Sequence, residues 1–334
     1  MNILFDINHP ADVHQFKVII KILKKKHKVI VVARDKDVTF KLLNELNIKF
    51  IPRKGSNGLI RKALNSLKIE LMLLQIGIKN KIDLFIGSSG NIYVAHVAWI
   101  LRKKSLLFDD TEHAKLQKMF SFPFASKIIV PSCYNKQFSK QMKKKVVYYA
   151  GFKETAYLSP KYFKPNKTGL KLKKGKNILV RLVSWNASHD GGHGGLKNVN
   201  KILSTLSKLG NLHITSELKI PEKFKQYKIS IPTSRLHDLL ASVDLVVSEG
   251  GSVAAESAFL GTPTIYVNDL KMGYTDDLKK RKLLFQTTDE NKILSLSKKL
   301  VLETKSTFKK KSIKLFKEQE DVNKFMISLI ENGQ

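Results

Sequence analysis

The most distinctive chemical motif of the chain is a glycine turn at residues 248–256, which reads Ser-Glu-Gly-Gly-Ser-Val-Ala-Ala-Glu. It follows an apolar segment typical of a strand and leads into small residues typical of a helix. Gly250 and Gly251 allow a ligand to approach the backbone, and the free amides at a helix start bind phosphate. Glu256 lies further along the helix, where its carboxylate could accept hydrogen bonds from a ribose diol. A tight turn with a small-residue packing face is the alternative. The candidate nucleotide-binding residues here are Glu249, Gly250, Gly251, Ser252 and Glu256.

A second glycine-rich segment spans residues 184–195 and contains four glycines and two histidines. It lies between a predicted strand, residues 177–183, and a predicted helix, residues 196–209. Backbone amides of such a loop could hold a diphosphate, with a histidine side chain as an added donor. A flexible structural loop is the alternative, and a metal site on the two histidines would need a helix that the glycines disfavour. The candidate ligand-binding residues here are Arg181, Ser184 and His189.

The loop after the first predicted strand, residues 8–14, combines an asparagine, two histidines and an aspartate. A histidine titrates near neutral pH and could take a proton from an attacking hydroxyl. Capping of the following helix by Asp12 or Asn8 is the alternative, and capping by one residue is compatible with catalysis by another. The catalytic candidates in this loop are His9, Asp12 and His14.

A third polar segment, residues 109–113, reads Asp-Asp-Thr-Glu-His and follows another predicted strand. Carboxylates and a histidine so close together suggest acid–base chemistry or acceptor binding, and a structural helix cap is the alternative. Oxygen ligands also suit hard cations, but neighbours on one short loop rarely all converge on one ion. We therefore assign no residue to a metal. The candidates here are Asp110, Glu112 and His113.

Apolar runs alternate with helical patterns along almost the whole chain, which predicts α/β units with parallel sheets and helices on both faces. The pattern breaks at residues 151–176, where prolines and glycines stand among lysines. We expect an N-terminal domain at residues 1–165 and a C-terminal domain at residues 166–310. A helix at residues 311–334 is expected to pack back on the N-terminal domain. One of the shorter strands is expected at residues 229–231.

The composition is that of a basic protein of 334 residues, with 60 Lys and Arg against 28 Asp and Glu and a formal net charge of +32. A single cysteine, Cys133, excludes an internal disulfide and fits a reducing cytoplasm. We find neither a signal-peptide pattern nor an apolar run of about 18 residues. The charge attracts anions, and the spread of the lysines favours a solvated surface or an anionic membrane over specific nucleic-acid binding.

The glycine turn resembles the nucleotide-binding signature of GT-B proteins, such as the non-hydrolysing UDP-N-acetylglucosamine 2-epimerases and the N-acetylglucosaminyltransferase of lipid II synthesis. In those proteins the turn holds the diphosphate and the glutamate holds the ribose, roles that carry over to Gly250, Gly251, Ser252 and Glu256. Nearly the whole chain also resembles a GT-B-like family of unknown function from archaea and bacteria. The segments that carry this resemblance are residues 5–10, 109–114, 184–189 and 261–268.

The resemblance implies two Rossmann-like domains whose parallel sheets face a central cleft, and a metal-independent site for a nucleotide-activated sugar. A UDP sugar is favoured, as a substrate rather than a cofactor. We expect a glycosyltransferase that acts on a glycan or lipid-linked acceptor in cell-surface polysaccharide or glycolipid synthesis. The expected location is the cytoplasm, with peripheral contact to the inner face of the membrane. His14 or Asp110 is the first choice for the catalytic base.

Two alternatives remain open at the level of sequence. A UDP-sugar 2-epimerase is disfavoured because two carboxylates of the epimerase mechanism have no equivalent in residues 88–90 and 121–124, which read Ser-Ser-Gly and Ser-Phe-Pro-Phe. A non-catalytic GT-B-like assembly protein is disfavoured by the number of titratable residues on the predicted ligand loops. Neither alternative is excluded by composition.

Overall fold

The computed structural model describes residues 1–54, 59–88, 91–183 and 195–332. The chain divides into two compact units. Unit 1 comprises Met1–Tyr157 and Glu320–Gln334, and unit 2 comprises Leu158–Gln319. Within the described ranges, no helix is long and apolar enough to cross a membrane.

Unit 1 contains a seven-stranded sheet in which all neighbouring strands run parallel. The strands are β1 (Asn2–Ile7), β2 (Lys28–Arg34), β3 (Ile51–Arg53), β4 (Leu84–Ser88), β5 (Lys104–Phe108), β6 (Lys127–Pro131) and β7 (Val146–Tyr149). The helices are α1 (Pro10–Leu23), α2 (Thr39–Glu45), α3 (Leu59–Lys79), α4 (Ile92–Ile100), α5 (Lys115–Ser121), α6 (Lys140–Lys143) and α7 (Thr155–Leu158). The spatial order is β3-β2-β1-β4-β5-β6-β7.

The central strand β1 is apolar at most positions, as expected for a parallel strand with helices on both faces. Its side chains alternate between two cores. Phe5 contacts Phe16 of α1, with ring centroids 5.4 Å apart, whereas Leu4 packs in the other core with Val94 of α4. Asp6 interrupts the apolar run as a fully buried carboxylate, so it requires partners within the protein.

The strand order of unit 1 reverses beside β1, because the chain moves out through β2 and β3 and then returns to β4 on the other side. In open parallel sheets such a reversal places ligands beyond the carboxyl ends of the strands. The polar loops after β1 and β5 both leave the sheet at this edge, separated by one strand. The fold of unit 1 therefore brings two segments together that lie about a hundred residues apart in sequence.

Unit 2 contains a five-stranded parallel sheet of order β12-β11-β10-β8-β9. The strands are β8 (Asn177–Leu182), β9 (Asn211–Ser216), β10 (Leu245–Ser248), β11 (Thr264–Tyr266) and β12 (Leu284–Gln286). The helices are α8 (Val199–Leu209), α9 (Leu236–Ser242), α10 (Gly251–Phe259), α11 (Gly273–Lys280), α12 (Glu290–Leu302) and α13 (Lys305–Glu318), before α14 (Val322–Asn332) in unit 1. The order reverses between β8 and β10, where Arg181 lies opposite Ser248. The loops after these two strands therefore leave the sheet side by side.

The boundary between the units follows residue 157, whereas the sequence pattern placed it at residue 165. The segment after α7 has little regular structure but is hydrogen-bonded to unit 2. The amide of Asn166 donates to the carboxylate of Asp238 at 2.8 Å, and Arg235 donates to the carbonyl of Asn166 at 2.7 Å. These bonds join a segment of linker-like composition to the second unit.

The helical C-terminal region is shared between the units. Helix α13 belongs to unit 2, where the hydroxyl of Ser312 donates to the carbonyl of Phe259 in α10. Helix α14 contacts α1, and the amide group of Asn323 donates to the carbonyl of Ala156 at 2.7 Å. The segment that packs on the N-terminal domain thus begins at Glu320, later than the residue 311 expected from the sequence.

The strand expected at residues 229–231 is absent from the described structure. Only an isolated bridge pairs Lys228 with Ile214 of β9. Pro232 explains the difference, since a proline restricts the residue before it and offers no amide to a neighbouring strand. The segment passes β9 without extending the sheet.

Candidate functional site

The glycine turn of unit 2 connects β10 to α10, as the sequence predicts. The hydroxyl of Ser248 accepts from the amide of Gly250 at 3.1 Å and donates to its carbonyl at 2.9 Å, which fixes the turn. A Cβ on Gly251 would lie 2.9 Å from the hydroxyl of Tyr274 and 3.1 Å from that of Tyr266. Close packing therefore accounts for this glycine. The start of α10 still presents its backbone amides at the switch point of the sheet.

Glu249 holds the loop after β8 at both of its ends. Its side chain is buried, and one carboxylate oxygen accepts from the amide of Val183 at 2.9 Å. The other oxygen accepts from the amide of Leu196 at 2.8 Å. These two residues flank the glycine-rich segment. The structure therefore gives Glu249 a positioning role, and the direct ligand contact expected from the sequence remains a prediction.

Glu256 is buried on α10 beside a histidine of α9. Its carboxylate lies 3.2 Å from Nε2 of His237, and the exposed fractions of the two side chains are 4% and 1%. Phe163 packs edge-on against the imidazole, with ring centroids 5.9 Å apart. The predicted ribose-binding carboxylate is thus fixed by a histidine that the sequence analysis did not single out, since nothing in its spacing from Glu256 marks it.

The other candidates of unit 2 are less fully described. Arg181 on β8 forms an ion pair with Glu217 across 36 residues of sequence. Ser252, in the first turn of α10, is half-buried. Ser184 and His189 lie outside the described residues. The structure thus brings Arg181 and the glycine turn to neighbouring strands, but Arg181 is engaged by a carboxylate.

In unit 1 the loop after β1 forms the cap of α1. Nδ1 of His9 accepts from the amide of Ala11 at 3.2 Å. The carboxylate of Asp12 accepts in return from the amides of Asn8 and His9, both at 3.0 Å. This reciprocal cap is the structural alternative considered for the loop. Nε2 of His9 lies 3.7 Å from Asp37, and both side chains are about half exposed, at 45% and 46%.

Asp12 is buried, and burial raises its pKa to about 6 from an ordinary 3.8. Hydrogen bonds from Ser88 and the backbone, and the charge of Lys153, lower the pKa but do not cancel the effect of burial. A carboxylate that titrates near neutral pH can act as a general base or acid. Among the candidates of this loop, the structure therefore favours Asp12 for proton transfer.

His14 is less suited to the role of base than the sequence suggested. Its ring is buried and stacks on Tyr157, with centroids 5.5 Å apart and an interplanar angle of 25°. Nδ1 lies 3.4 Å from the ammonium of Lys17. The packing holds the imidazole in place beside the ammonium of Lys17, and its role as a base remains a prediction.

Asp110 is the partner of a buried lysine. Its carboxylate lies 2.5 Å from Nζ of Lys153. Burial alone lowers the pKa of Lys153, but the charges of Asp110 and Glu154 outweigh it and raise the pKa above its ordinary value. The lysine therefore stays protonated and forms an ion pair with Asp110. This pair engages the carboxylate that the sequence made a first choice for the base, and that role remains a prediction.

Lys153 also connects the two polar loops of unit 1. It follows β7 at the same edge of the sheet, and its charge acts on both Asp110 and Asp12. The segments after β1, β5 and β7 thus share one buried electrostatic environment. Sequence analysis missed Lys153, since a lysine among 60 basic residues carries no signal of burial.

Asp109 anchors the start of the second polar loop. Its carboxylate accepts from the hydroxyl of Tyr134 at 2.6 Å and lies 2.8 Å from Nζ of Lys118. The amide of Thr111 donates to its other oxygen at 2.9 Å. Burial, followed by the charge of Asp109, raises the pKa of Tyr134. All three side chains are buried, so this group shapes the loop that carries Asp110.

Glu112 and His113 complete that loop. The carboxylate of Glu112 accepts from the amide of Asn135 at 3.2 Å, and its carbonyl accepts from Lys136 at 2.9 Å. Both residues are half-buried. In the parts of the chain that the structure describes, no three His, Cys, Asp or Glu side chains are grouped as metal ligands.

A buried network beneath the first loop was also missed. Arg53 of β3 donates to both oxygens of Asp6, at 2.9 and 3.0 Å, and also donates to the side chain of Asn8. The amide group of Asn91 donates to Asp6 at 2.9 Å. An aspartate inside an apolar strand is itself a signal, because a buried charge needs a partner. The network fixes the direction in which the loop leaves β1.

Two Rossmann-like units with polar turns at their switch points define an α/β protein of the GT-B type, and solved structures have the same fold. UDP-GlcNAc 2-epimerase from Neisseria meningitidis matches with a TM-score of 0.74 and 12% identity, covering 99% of this chain and 100% of that one. The epimerase from Rickettsia bellii matches with a TM-score of 0.71 and 11% identity over 99% and 96%. The spinosyn rhamnosyltransferase SpnG matches with a TM-score of 0.62 and 12% identity over 98% and 100%.

The chain belongs to the family described as Protein of unknown function (DUF354), whose sequence profile matches residues 1–333. No curated protein sequence matches the chain. Both the family resemblance and the GT-B fold class expected from the sequence are confirmed. At identities near one in ten, the likeness to the solved structures shows the fold and leaves the reaction open.

Proposed function

We propose that the protein is a glycosyltransferase that uses a nucleotide-activated sugar, with a UDP sugar favoured. The observation that carries the proposal is the arrangement at the switch point of unit 2. The glycine turn after β10 starts a helix of nine residues, and Glu249 of that turn accepts from the amides of Val183 and Leu196, on either side of the glycine-rich segment after β8. Such a paired turn and helix start suits a diphosphate.

In this proposal unit 2 binds the donor. The amides at the start of α10 hold the diphosphate, and Glu256 on the same helix accepts from the ribose hydroxyls. During transfer the bond between the anomeric carbon and the diphosphate oxygen breaks, and negative charge builds on the leaving group. Backbone amides and the positive end of the helix stabilise that charge. No metal is required in this scheme.

Unit 1 supplies the groups for the acceptor, which we propose to be a glycan or a lipid-linked sugar. Asp12 takes the proton of the attacking hydroxyl as the new bond to the anomeric carbon forms. Its pKa of about 6 suits this task. Lys153 forms an ion pair with Asp110, and its charge lowers the pKa of Asp12. Cell-surface polysaccharide or glycolipid synthesis is the proposed setting.

A UDP-sugar 2-epimerase is the second candidate. Its support is the structural similarity to the Neisseria meningitidis epimerase, which was solved bound to UDP-GlcNAc. The TM-score of that match, 0.74, is higher than the 0.62 of the match to SpnG. Against it stands the chemistry of this chain, because residues 88–90 and 121–124 contain no equivalent of two carboxylates of the epimerase mechanism. SpnG, solved with a spinosyn aglycone, shows that the same fold serves sugar transfer.

The test is a thermal-shift panel of UDP, GDP, CMP and dTDP sugars on the wild-type protein and on Glu256→Gln. A ligand that binds only the folded state at 100 times its dissociation constant adds about 2.7 kcal/mol to the free energy of unfolding. We expect a shift with one nucleotide class that falls strongly in Glu256→Gln. The nucleotide sugar that gives the shift is then assayed for two reactions. Release of its nucleotide in the presence of acceptors reports sugar transfer, and NMR detects a C2 epimer of the sugar.

The control is Glu222→Gln, which alters a glutamate of unit 2 whose side chain is 84% exposed. It should leave every ligand shift unchanged. Melting of each variant without ligand separates a loss of binding from a loss of stability. If no nucleotide sugar at millimolar concentration raises the melting temperature of the wild-type protein, the proposed donor site is wrong. That result would favour a non-catalytic role.

A further inference from the structure

Large apolar side chains are exposed on three neighbouring helices of unit 1. Their exposed fractions run from 48% for Phe120 to 63% for Leu116. Single exposed apolar residues are common on protein surfaces, but a group of them marks an interaction site. We call this group the apolar face. It consists of Leu67, Leu71 and Ile78 on α3, Trp99 and Ile100 on α4, and Leu116, Met119 and Phe120 on α5.

One histidine connects the three helices that carry the apolar face. Nδ1 of His96, on α4, lies 2.8 Å from the carboxylate of Glu70 on α3. Its Nε2 lies 2.8 Å from the carbonyl of Phe120 on α5. One turn further along α4, Trp99 packs edge-on against Phe124, with centroids 5.4 Å apart. These contacts place the exposed residues on three helices that are direct neighbours in unit 1.

Basic side chains border the apolar face. The Arg-Lys-Lys run at residues 102–104 is exposed and begins two residues after Ile100. Lys145 donates to the carbonyl of Pro123 at 2.6 Å, close to the end of α5. Between residues 113 and 153 the sequence contains nine lysines and no Asp or Glu. Two of the nine, Lys118 and Lys153, are buried in ion pairs. The other seven contribute positive charge to this side of unit 1.

We infer that the apolar face docks the protein on an anionic lipid bilayer. Aromatic and aliphatic side chains enter the headgroup region, and lysines next to them keep their charge in water while their stems cover apolar surface. Each basic residue near an anionic surface adds attraction. A second copy of the chain fits less well, because pairing the same face would bring the two positive borders together. The inference deepens the proposed function, since it names how the enzyme would reach a lipid-linked acceptor.

The experiment measures flotation with vesicles of phosphatidylcholine, with and without one-third phosphatidylglycerol, at low and high salt. The variant is Met119→Ser/Phe120→Ser, and the matched control is Leu302→Ser, which alters an exposed leucine of unit 2 (81% exposed). We expect the partition coefficient of the wild-type protein on anionic vesicles to fall about tenfold or more in the double variant. It should also fall at high salt, where charge is screened, and stay unchanged in the control.

Trp99 supplies a direct readout of insertion. In a Trp185→Phe background it is the one remaining tryptophan, and its emission should shift to the blue and be quenched by brominated lipid. Wild-type protein that ignores vesicle charge, or a double variant that still floats, would overturn the inference. So would a dimer in solution that the double variant converts to monomer without any vesicle binding.

The two proposals fail separately. The double variant should keep the thermal shift of the wild-type protein with its nucleotide sugar, which also shows that it is folded. If no nucleotide sugar binds but flotation depends on the apolar face, the donor proposal fails and the docking surface stands. If nucleotide binding is intact and flotation is absent, the docking surface fails alone.

Discussion

At the scale of single residues, two aspartates of unit 1 show how burial and pairing decide the role of a polar group. Asp12 and Asp110 are both aspartates that follow strands of the same sheet. Asp12 has its pKa raised to about 6 by burial, whereas Asp110 is paired with the ammonium of Lys153 at 2.5 Å. The first is suited to exchange a proton, and the second is engaged in an ion pair.

Asp12→Asn tests this assignment through the pH dependence of stability. Between pH 3.8 and about 6 the native protein keeps a proton that the unfolded chain has released. The free energy of unfolding of the wild-type protein therefore falls as pH rises through that window, by up to about 3 kcal/mol. The variant lacks this loss, so its stability relative to wild type should rise between pH 4 and 7 in urea titrations.

The control for Asp12 is Asp289→Asn, since Asp289 also caps a helix but is exposed to solvent. The difference in free energy of unfolding between this variant and the wild-type protein should stay nearly constant over the same pH range. If the corresponding difference for Asp12→Asn is also constant, the carboxylate of Asp12 does not titrate in that window. In the transfer assay, the acidic limb near pH 6 should disappear in Asp12→Asn together with most of the turnover.

At the scale of elements, the positions of the two candidate loops in unit 2 follow from strand order. Neither the loop after β8 nor the turn after β10 can reach the other unless the sheet places those strands side by side. Glu249 then joins them through the amides of Val183 and Leu196. A single carboxylate with two acceptor oxygens thus sets both ends of a glycine-rich loop.

Glu249→Gln tests the positioning role of this carboxylate. A glutamine keeps one acceptor oxygen, so one of the two loop amides loses its buried partner at a cost of about 1–3 kcal/mol. Hydrogen exchange of Val183 or Leu196 should become faster, and nucleotide binding should weaken if the loop holds the diphosphate. Glu222→Gln is again the control. Unchanged exchange at both amides would show that the loop is held by other contacts.

At the scale of the whole molecule, the chain finishes unit 2 and then returns to unit 1. Helix α14 contacts α1, and Met326 is 1% exposed within it. The last residues therefore complete the first core. A domain assignment drawn as two consecutive segments does not describe this arrangement.

Met326→Ala should therefore destabilise unit 1 although it lies at the far end of the chain. Loss of a buried methionine costs about 2–5 kcal/mol. In hydrogen exchange, the variant should lose more protection in β1 and α1 than in β8 and β10. The control is Lys324→Ala, at an exposed position of the same helix, which should change the protection little. Equal loss of protection in both units would contradict the assignment of α14 to unit 1 alone.

The sequence by itself determined the fold class, the family and the location of the polar loops. Alternating strand and helix patterns and the turn from Ser248 to Glu256 are local features, so they can be read along the chain. The glycine turn starts a helix as predicted, and the loop at residues 8–14 lies at the sheet edge where ligands bind. The donor, the acceptor and the catalytic roles remain predictions.

The tertiary structure alone decided which of the polar residues are buried and what they contact. No local pattern in the sequence marks Lys153, Arg53 or His237, because their partners lie between 19 and 47 residues away along the chain. Arg53 and His237 fix the side chains of Asp6 and Glu256, and the charge of Lys153 lowers the pKa of Asp12. Electrostatics inside a protein depends on distance in space, and strand order rather than sequence spacing fixes those distances.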